Sequence, residues 1–231
     1  MTHPSAADIA TRQAIIDACR EMSAAGINQG TSGNISVRTE AGILLTPSGV
    51  PYDTMRPEDI VAMKWDGSWT ASEGRVPSTE WRFHLDILKA KPETNAVVHA
   101  HPIFCTIIAI MNRNIPAIHY MIAAGGGNDI PCAPYAQYGT AELSQAALEA
   151  LRYRRACLLA HHGLIAIGPN LRKAMWLAVE VEVLAKQYHG CLQLGTPPLL
   201  PDVEIDSILK RWGQYGLRDS DSTPRIAAPS T

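Results

Sequence analysis

Two histidines spaced by one residue close a run of small and β-branched apolar side chains, Ala96-Val97-Val98-His99-Ala100-His101. Strand side chains alternate with period two, so His99 and His101 fall on one face. Ending a buried strand in two polar rings is costly unless those rings have partners. A further histidine and a carboxylate from other elements would complete a divalent-metal site of the catalytic kind. The chain offers both: Glu80 upstream, and His161-His162 between Leu158-Leu159-Ala160 and Leu164-Ile165. In a strand those adjacent rings point to opposite faces, so only one can join the site, and the spacing does not say which. Glu80 read alone is a helix-start carboxylate, favoured there by the helix dipole.

The same periodicities outline the other elements. Ile9, Ile15, Ile16, Cys19 and Met22 recur at helical spacing over residues 8–25, and Gly26 supplies a stop. Strands are expected at 35–38, 43–46 and 60–63, the last followed by a hairpin turn at Asp66-Gly67. A helix follows over 80–90, with Ser78 or Thr79 as its N-cap. Next come a buried strand over 96–99, a helix opened by Pro102 through 110, and a helix from Gly139-Thr140 to 151. Residues 157–167 form the most apolar strand, interrupted by His161-His162-Gly163. The longest helix spans 170–188, with Leu171, Met175, Ala178, Val181 and Ala185 on one stripe. A short helix over 205–212 precedes a polar tail. Several strands sandwiched by helices make an α/β layered fold. We expect one domain over 1–219 and a disordered tail over 220–231.

Composition narrows the function. A net charge of −2 without a basic stripe argues against nucleic acid as a partner. The five cysteines (Cys19, Cys105, Cys132, Cys157 and Cys191) include no C-x-x-C pair and read as reduced thiols. The most apolar stretch, 103–111, is far short of the ~20 residues a membrane helix needs. No basic segment followed by an apolar one opens the chain, so a cytoplasmic protein without a signal peptide is expected.

Three clusters of small donors stand out: Gly30-Thr31-Ser32-Gly33-Asn34, Ser48-Gly49 and Ser78-Thr79. Singly they are turns and caps. Together they could wrap one phosphate, with backbone N–H groups added at a helix start. The first lacks the lysine of a P-loop and the spacing of a dinucleotide-binding loop. Tyr120, close to Gly125-Gly126-Gly127, and Tyr215 are candidate acids, although either could be an ordinary packed aromatic.

The ordered motifs Asn28-Gln29-Gly30-Thr31-Ser32-Gly33-Asn34, Thr46-Pro47-Ser48-Gly49, Pro77-Ser78-Thr79-Glu80-Trp81-Arg82-Phe83-His84, Val97-Val98-His99-Ala100-His101, Ile118-His119-Tyr120-Met121-Ile122 and His161-His162-Gly163-Leu164-Ile165 closely resemble the class II aldolase/AraD family, over about residues 9–218. The resemblance implies a single α/β domain around a central, mainly antiparallel sheet, assembled as a homotetramer with active sites at subunit interfaces. It implies one Zn2+ per subunit held by His99, His101 and His162, with Glu80 as resting-state ligand and as acid/base in turnover. Thr31, Gly33, Asn34, Ser48, Gly49, Ser78 and Thr79 correspond to the phosphate cradle and its loop. Tyr120 would reach in from a neighbouring subunit as proton donor, and Tyr215 would close over the site.

The implied reaction is reversible cleavage of a ketose 1-phosphate into dihydroxyacetone phosphate and a small aldehyde. L-fuculose 1-phosphate, giving L-lactaldehyde, is the default substrate. 5-Methylthioribulose or 5-deoxypentulose 1-phosphate is the near alternative. More distant ones are a pentulose-5-phosphate 4-epimerase, a methylthioribulose-phosphate dehydratase and a non-catalytic adducin-like module. Ser32, Ser48, Thr79 and Tyr138 depart from the Ala, Thr, Ser and Phe of the resembled pattern. The first three keep or add hydroxyl donors. Tyr138 changes a pocket wall, and so bears on which aldehyde is accepted.

Overall fold

In the computed structural model, residues 6–211 are described; Tyr215 and the tail over 220–231 lie outside the described residues. The central strand is β5 (Ala96–Ala100), buried at every position. It pairs antiparallel with β1 (Asn34–Arg38) on one side and β10 (Gly163–Gly168) on the other. β2 (Gly42–Leu45), β3 (Val61–Lys64) and β4 (Trp69–Thr70) extend the sheet beyond β1; β9 (Ala156–Leu159) and β8 (Cys132–Ala133) extend it beyond β10. The order is β4-β3-β2-β1-β5-β10-β9-β8, and only the β8–β9 pair is parallel. β6 (Ile115–Pro116) and β7 (Asp129–Ile130) form a separate two-stranded ladder.

Among the described residues, six α-helices cover this sheet or flank it: α1 (Ala6–Ala24), α2 (Trp81–Ala90), α3 (Ile103–Ile110), α4 (Ala141–Ala150), α5 (Leu171–Leu194) and α6 (Asp202–Arg211). Strand alternation splits the core into two apolar clusters. Ile35, Val98, Leu164 and Leu158 point toward α1, α3 and α5; Leu45, Val97, Ile165 and Cys157 point toward α2 and α4. With both faces covered, β5 tolerates no exposed polar residue along its length. His99 therefore lies wholly buried, and its position demands partners.

Local sequence explains the helix ends. Thr140 accepts a hydrogen bond from Leu143 N and Asn170 accepts one from Lys173 N, so both cap as their residue types favour. The α2 start departs from expectation. Neither Ser78 nor Thr79 is the N-cap; Glu80 holds that position and makes no side-chain cap bond. The Ser78 hydroxyl instead accepts from Glu80 N at 3.3 Å, because the Glu80 carboxylate is turned into the interior. In α1 the buried stripe begins at Ile15, and Ile9 is exposed. α5 continues six residues past the expected end at Tyr188, to Leu194 before Gly195.

Arg38 ties β1 to the end of α2. Its guanidinium donates to the carbonyls of Leu88, Lys91 and Thr94, in the last turn of α2 and just beyond it. Replacing Arg38 by Met should lower unfolding stability by about 2 kcal/mol, the scale of a charged hydrogen bond to buried acceptors. Urea denaturation measures it; an unchanged midpoint and slope would mean those carbonyls find other donors.

Candidate metal centre and anion cradle

The carboxyl-terminal end of β5 carries His99 and, one residue past the strand, His101. Two neighbours bring the remaining groups. Asn34, at the start of β1, is the register partner of His99. The turn before β10 presents His162. The rings of His99, His101 and His162 lie at 4.8 Å centroid separation in every pairing. Their ligand nitrogens and a Glu80 oxygen all fall within 4.8 Å of one another.

The adjacent histidines separate for a reason other than strand alternation. Residues 160–162 form a turn between β9 and β10, and His161 adopts φ 56°, in the left-handed region. That conformation is uncommon outside glycine and asparagine, and it turns consecutive side chains apart. His162 joins the cluster; the exposed His161 ring turns toward Asn112 (Nδ2 to Nε2, 3.3 Å) and Tyr135. Gly163 allows the close packing that follows, because a Cβ there would meet Ala100 O at 2.4 Å and the His101 ring at 2.9 Å.

Hydrogen bonding fixes which atoms face the centre. His99 Nδ1 donates to the Leu164 carbonyl at 2.8 Å, which turns His99 Nε2 toward the centre. That Nε2 lies 2.9 Å from His101 Nε2 and 3.2 Å from Glu80 Oε2. His162 Nε2 lies 3.2 Å from Glu80 Oε1. Burial, reinforced by His99 and His162, pulls the His101 pKa down to about 3, so its ring is neutral. Burial alone would raise the Glu80 pKa, but His99 and His162 override it and hold the carboxyl well below the usual carboxylate range. Glu80 is thus an anion, 5% exposed. Its Oε1 is buried without a hydrogen-bond partner. With only His162 Nε2 near it, that oxygen remains under-satisfied for a buried carboxylate. Three imidazoles and one carboxylate, with no thiolate among them, suit a divalent metal cation, and the under-satisfied Glu80 oxygen points the same way.

Beside this cluster opens a cavity of about 480 Å³. It brings together every residue of the expected cradle: Thr31, Gly33 and Asn34, Ser48 and Gly49, and Ser78 and Thr79. Backbone pairing joins the three segments. Thr46 N donates to Ile35 O and Ile35 N to the Thr46 hydroxyl, which fixes the exit of β2 against β1. Ser78 N donates to Thr46 O and Ser48 N to Val76 O, around an isolated bridge between Pro47 and Pro77. Among the described residues no lysine or arginine lines the cavity, and amide and hydroxyl donors at a helix start are what it offers an anion. Glu80, His101 and His162 line the same space, as do Tyr135, Tyr138 and His161 at the other side.

Tyr120 lies apart. It starts the 3-10 turn Tyr120–Gly125, is 40% exposed, packs near the His119 ring, and does not line the cavity of the single chain. Sequence reading also passed over the groups that hold the site. Asn28 and Tyr52 brace the cradle loop: Tyr52 donates to Gly33 O at 2.5 Å, and Asn28 Oδ1 accepts from Ser32 Oγ and His101 N. A Cβ on Gly33 would come within 2.8 Å of the Asn28 side chain and 2.9 Å of His99 O, so this crossing requires glycine. His84 is fully buried between Asn34 and Ser36. One signal was available for it: His84 is a lone polar residue among Phe83, Leu85, Ile87 and Leu88 on the buried face of α2.

Known proteins share this arrangement. Residues 13–189 match the family described as Class II Aldolase and Adducin N-terminal domain. The chain is 54% identical to L-fuculose phosphate aldolase of Escherichia coli (strain K12), over 88% of this chain and 94% of that protein. It is 51% identical to 5-methylthioribulose-1-phosphate/5-deoxyribulose-1-phosphate aldolase of Rhodospirillum rubrum, over 90% and 93%. Among solved structures, an L-fuculose 1-phosphate aldolase superposes with a TM-score of 0.86 at 35% identity, over 92% of this chain and 100% of that one. With a matching family over most of its length and relatives above half identity, this chain belongs to the class II aldolase family.

Proposed function

We propose that this protein is a zinc-dependent aldolase that reversibly cleaves a ketose 1-phosphate into dihydroxyacetone phosphate and a small aldehyde. The observation that carries the reading is a Glu/His/His/His cluster opening onto the same cavity as three convergent sets of uncharged anion donors. L-fuculose 1-phosphate, giving L-lactaldehyde, is the proposed substrate, in keeping with the 54% identical relative. The second reading is 5-methylthioribulose or 5-deoxypentulose 1-phosphate. It is favoured by the 51% identical relative and by Tyr138, a phenol where the resembled pattern has Phe, at the cavity wall.

In this proposal His99, His101, His162 and Glu80 hold the metal. Zinc, when bound, supplies a Lewis acid for the negative charge that develops beside the ketone. The chain's own groups do the rest. Thr31, Gly33, Asn34, Ser48, Gly49, Ser78 and Thr79 hold the phosphate through several neutral hydrogen bonds. In the condensation direction Glu80 takes a proton from the hydroxylated carbon next to the ketone of dihydroxyacetone phosphate. Tyr120, from a neighbouring subunit of a homotetramer, gives a proton to the aldehyde oxygen, and Tyr215 covers the site. Cleavage runs the same transfers backward. The unit is a single domain over 1–219 with a tail over 220–231, working in the cytoplasm without membrane or nucleic acid partners. Among the described residues no helix is long and apolar enough to cross a membrane.

Three outcomes follow for the purified enzyme. Incubated with each ketose 1-phosphate, it should release dihydroxyacetone phosphate from at least one, in a coupled reduction assay; release from none removes the aldolase reading. Glu80→Gln should fold yet lose about 10²-fold or more in kcat, the usual worth of a general acid/base. Near-normal turnover would refute that role. His101→Ala should lose metal and activity while His161→Ala keeps most of its metal, as measured by metal analysis; equal loss in both would mean that His161 also ligates.

A further inference from the structure

Behind Glu80 runs a line of buried polar groups, of which Asn34 alone also lines the cavity. Asn34 Nδ2 donates to Glu80 Oε2 at 2.8 Å. Asn34 Oδ1 lies 2.5 Å from His84 Nε2, and His84 Nδ1 lies 2.7 Å from Ser36 Oγ. The backbone builds this ladder. Asn34 and Ser36 are two apart on one strand, about 6.8 Å along β1. Glu80 and His84 are four apart at the start of α2, about 6 Å along its axis. The strand pair and the helix pair therefore meet rung for rung.

Proton bookkeeping leaves one arrangement. The Glu80 carboxylate only accepts, so Asn34 must turn its NH2 toward it. The Asn34 carbonyl then faces His84 and needs a donor, which only an Nε2–H can be. A neutral ring protonated at Nε2 has a lone pair at Nδ1, and the Ser36 hydroxyl must donate to it. With His84 completely buried, desolvation outweighs the pull of the Glu80 anion beyond Asn34 and keeps the ring neutral. Every member is satisfied in this orientation, and reversing any one leaves two acceptors or two donors facing each other.

We propose that His84 is a positioning residue: through Asn34 it holds the Glu80 carboxylate with Oε2 engaged and Oε1 free toward the metal and substrate. The inference rests on the acid/base reading of Glu80. Asn34 also lines the phosphate side of the cavity, so the same amide registers Glu80 against the cradle.

The test joins spectroscopy to kinetics on the zinc-loaded enzyme. In protein labelled with 15N-histidine, the His84 ring should carry its proton on Nε2 alone; a proton on Nδ1, or on both nitrogens, overturns the proposal without any activity measurement. His84→Phe removes the donor to Asn34 and should lower kcat about 10- to 100-fold, with zinc content retained. His84→Gln can restore a donor near Nε2 and should recover most of that loss. A wild-type kcat in the Phe variant, or a Gln variant as impaired as Phe, overturns the positioning role. If His84→Phe does not fold, the wild-type ring spectrum and the Gln variant still decide. Glu80→Gln, measured alongside, separates the two readings: if it stays active, the acid/base role fails, whereas an inactive Glu80→Gln beside unaffected His84 variants sinks only the relay.

Discussion

The Glu80 carboxylate sits almost fully buried between His99 and His162, and the rest of the site is arranged to make that tenable. A carboxylate taken out of water loses far more than one hydrogen bond returns. Here one oxygen is engaged by Asn34 and approached by His99, while the other is left without a hydrogen bond beside His162. That half-satisfied state has a chemical use. A carboxylate with one anchored and one free oxygen can ligate a cation at rest and serve as a base when displaced from it.

The fold supplies this carboxylate by bringing three kinds of chain end to one place. β5 ends at the centre of the sheet, β1 begins beside it, and β10 begins on its other flank. Antiparallel pairing makes a strand end meet a strand start on both sides, so loops from distant sequence converge there. α2 then enters with its amino terminus facing the same spot, adding backbone donors next to Glu80. Three members of the Glu/His/His/His cluster and the proposed anion donors thus line one cavity although they span residues 31–162. Rigid elements hold the cluster, and two close crossings beside it fall on Gly33 and Gly163, where a methyl group would strike backbone.

Much of this was legible in the sequence because period-two alternation is a local property. It paired His99 with His101 and placed β5 in the interior. It outlined the helices from apolar stripes, and Thr140 and Asn170 marked their starts. The same rule gave a correct restriction at His161-His162 for the wrong reason: a turn with a left-handed His161, not an alternating strand, separates the two rings. The expected cap at Ser78 or Thr79 failed because tertiary demand on Glu80 overrode the usual capping preference. Asn28 and His84 stood in the quoted motifs without a role, and Tyr52 was not singled out. Their roles depend on partners as far as 73 residues away, and no local period encodes such a pairing. Choosing His162 over His161, and making Glu80 an acid/base, required the family resemblance.

Zinc K-edge X-ray absorption on the purified enzyme, with and without a hydroxamate mimic of the substrate's enediolate, bears most directly on the proposal that Glu80 alternates between ligand and base. The expected resting shell is three imidazole nitrogens and one carboxylate oxygen at about 2.0–2.2 Å. The mimic should keep the three imidazoles and replace the carboxylate. A shell with fewer than three imidazoles, with sulfur, or with a carboxylate that stays in place beside the mimic would contradict it.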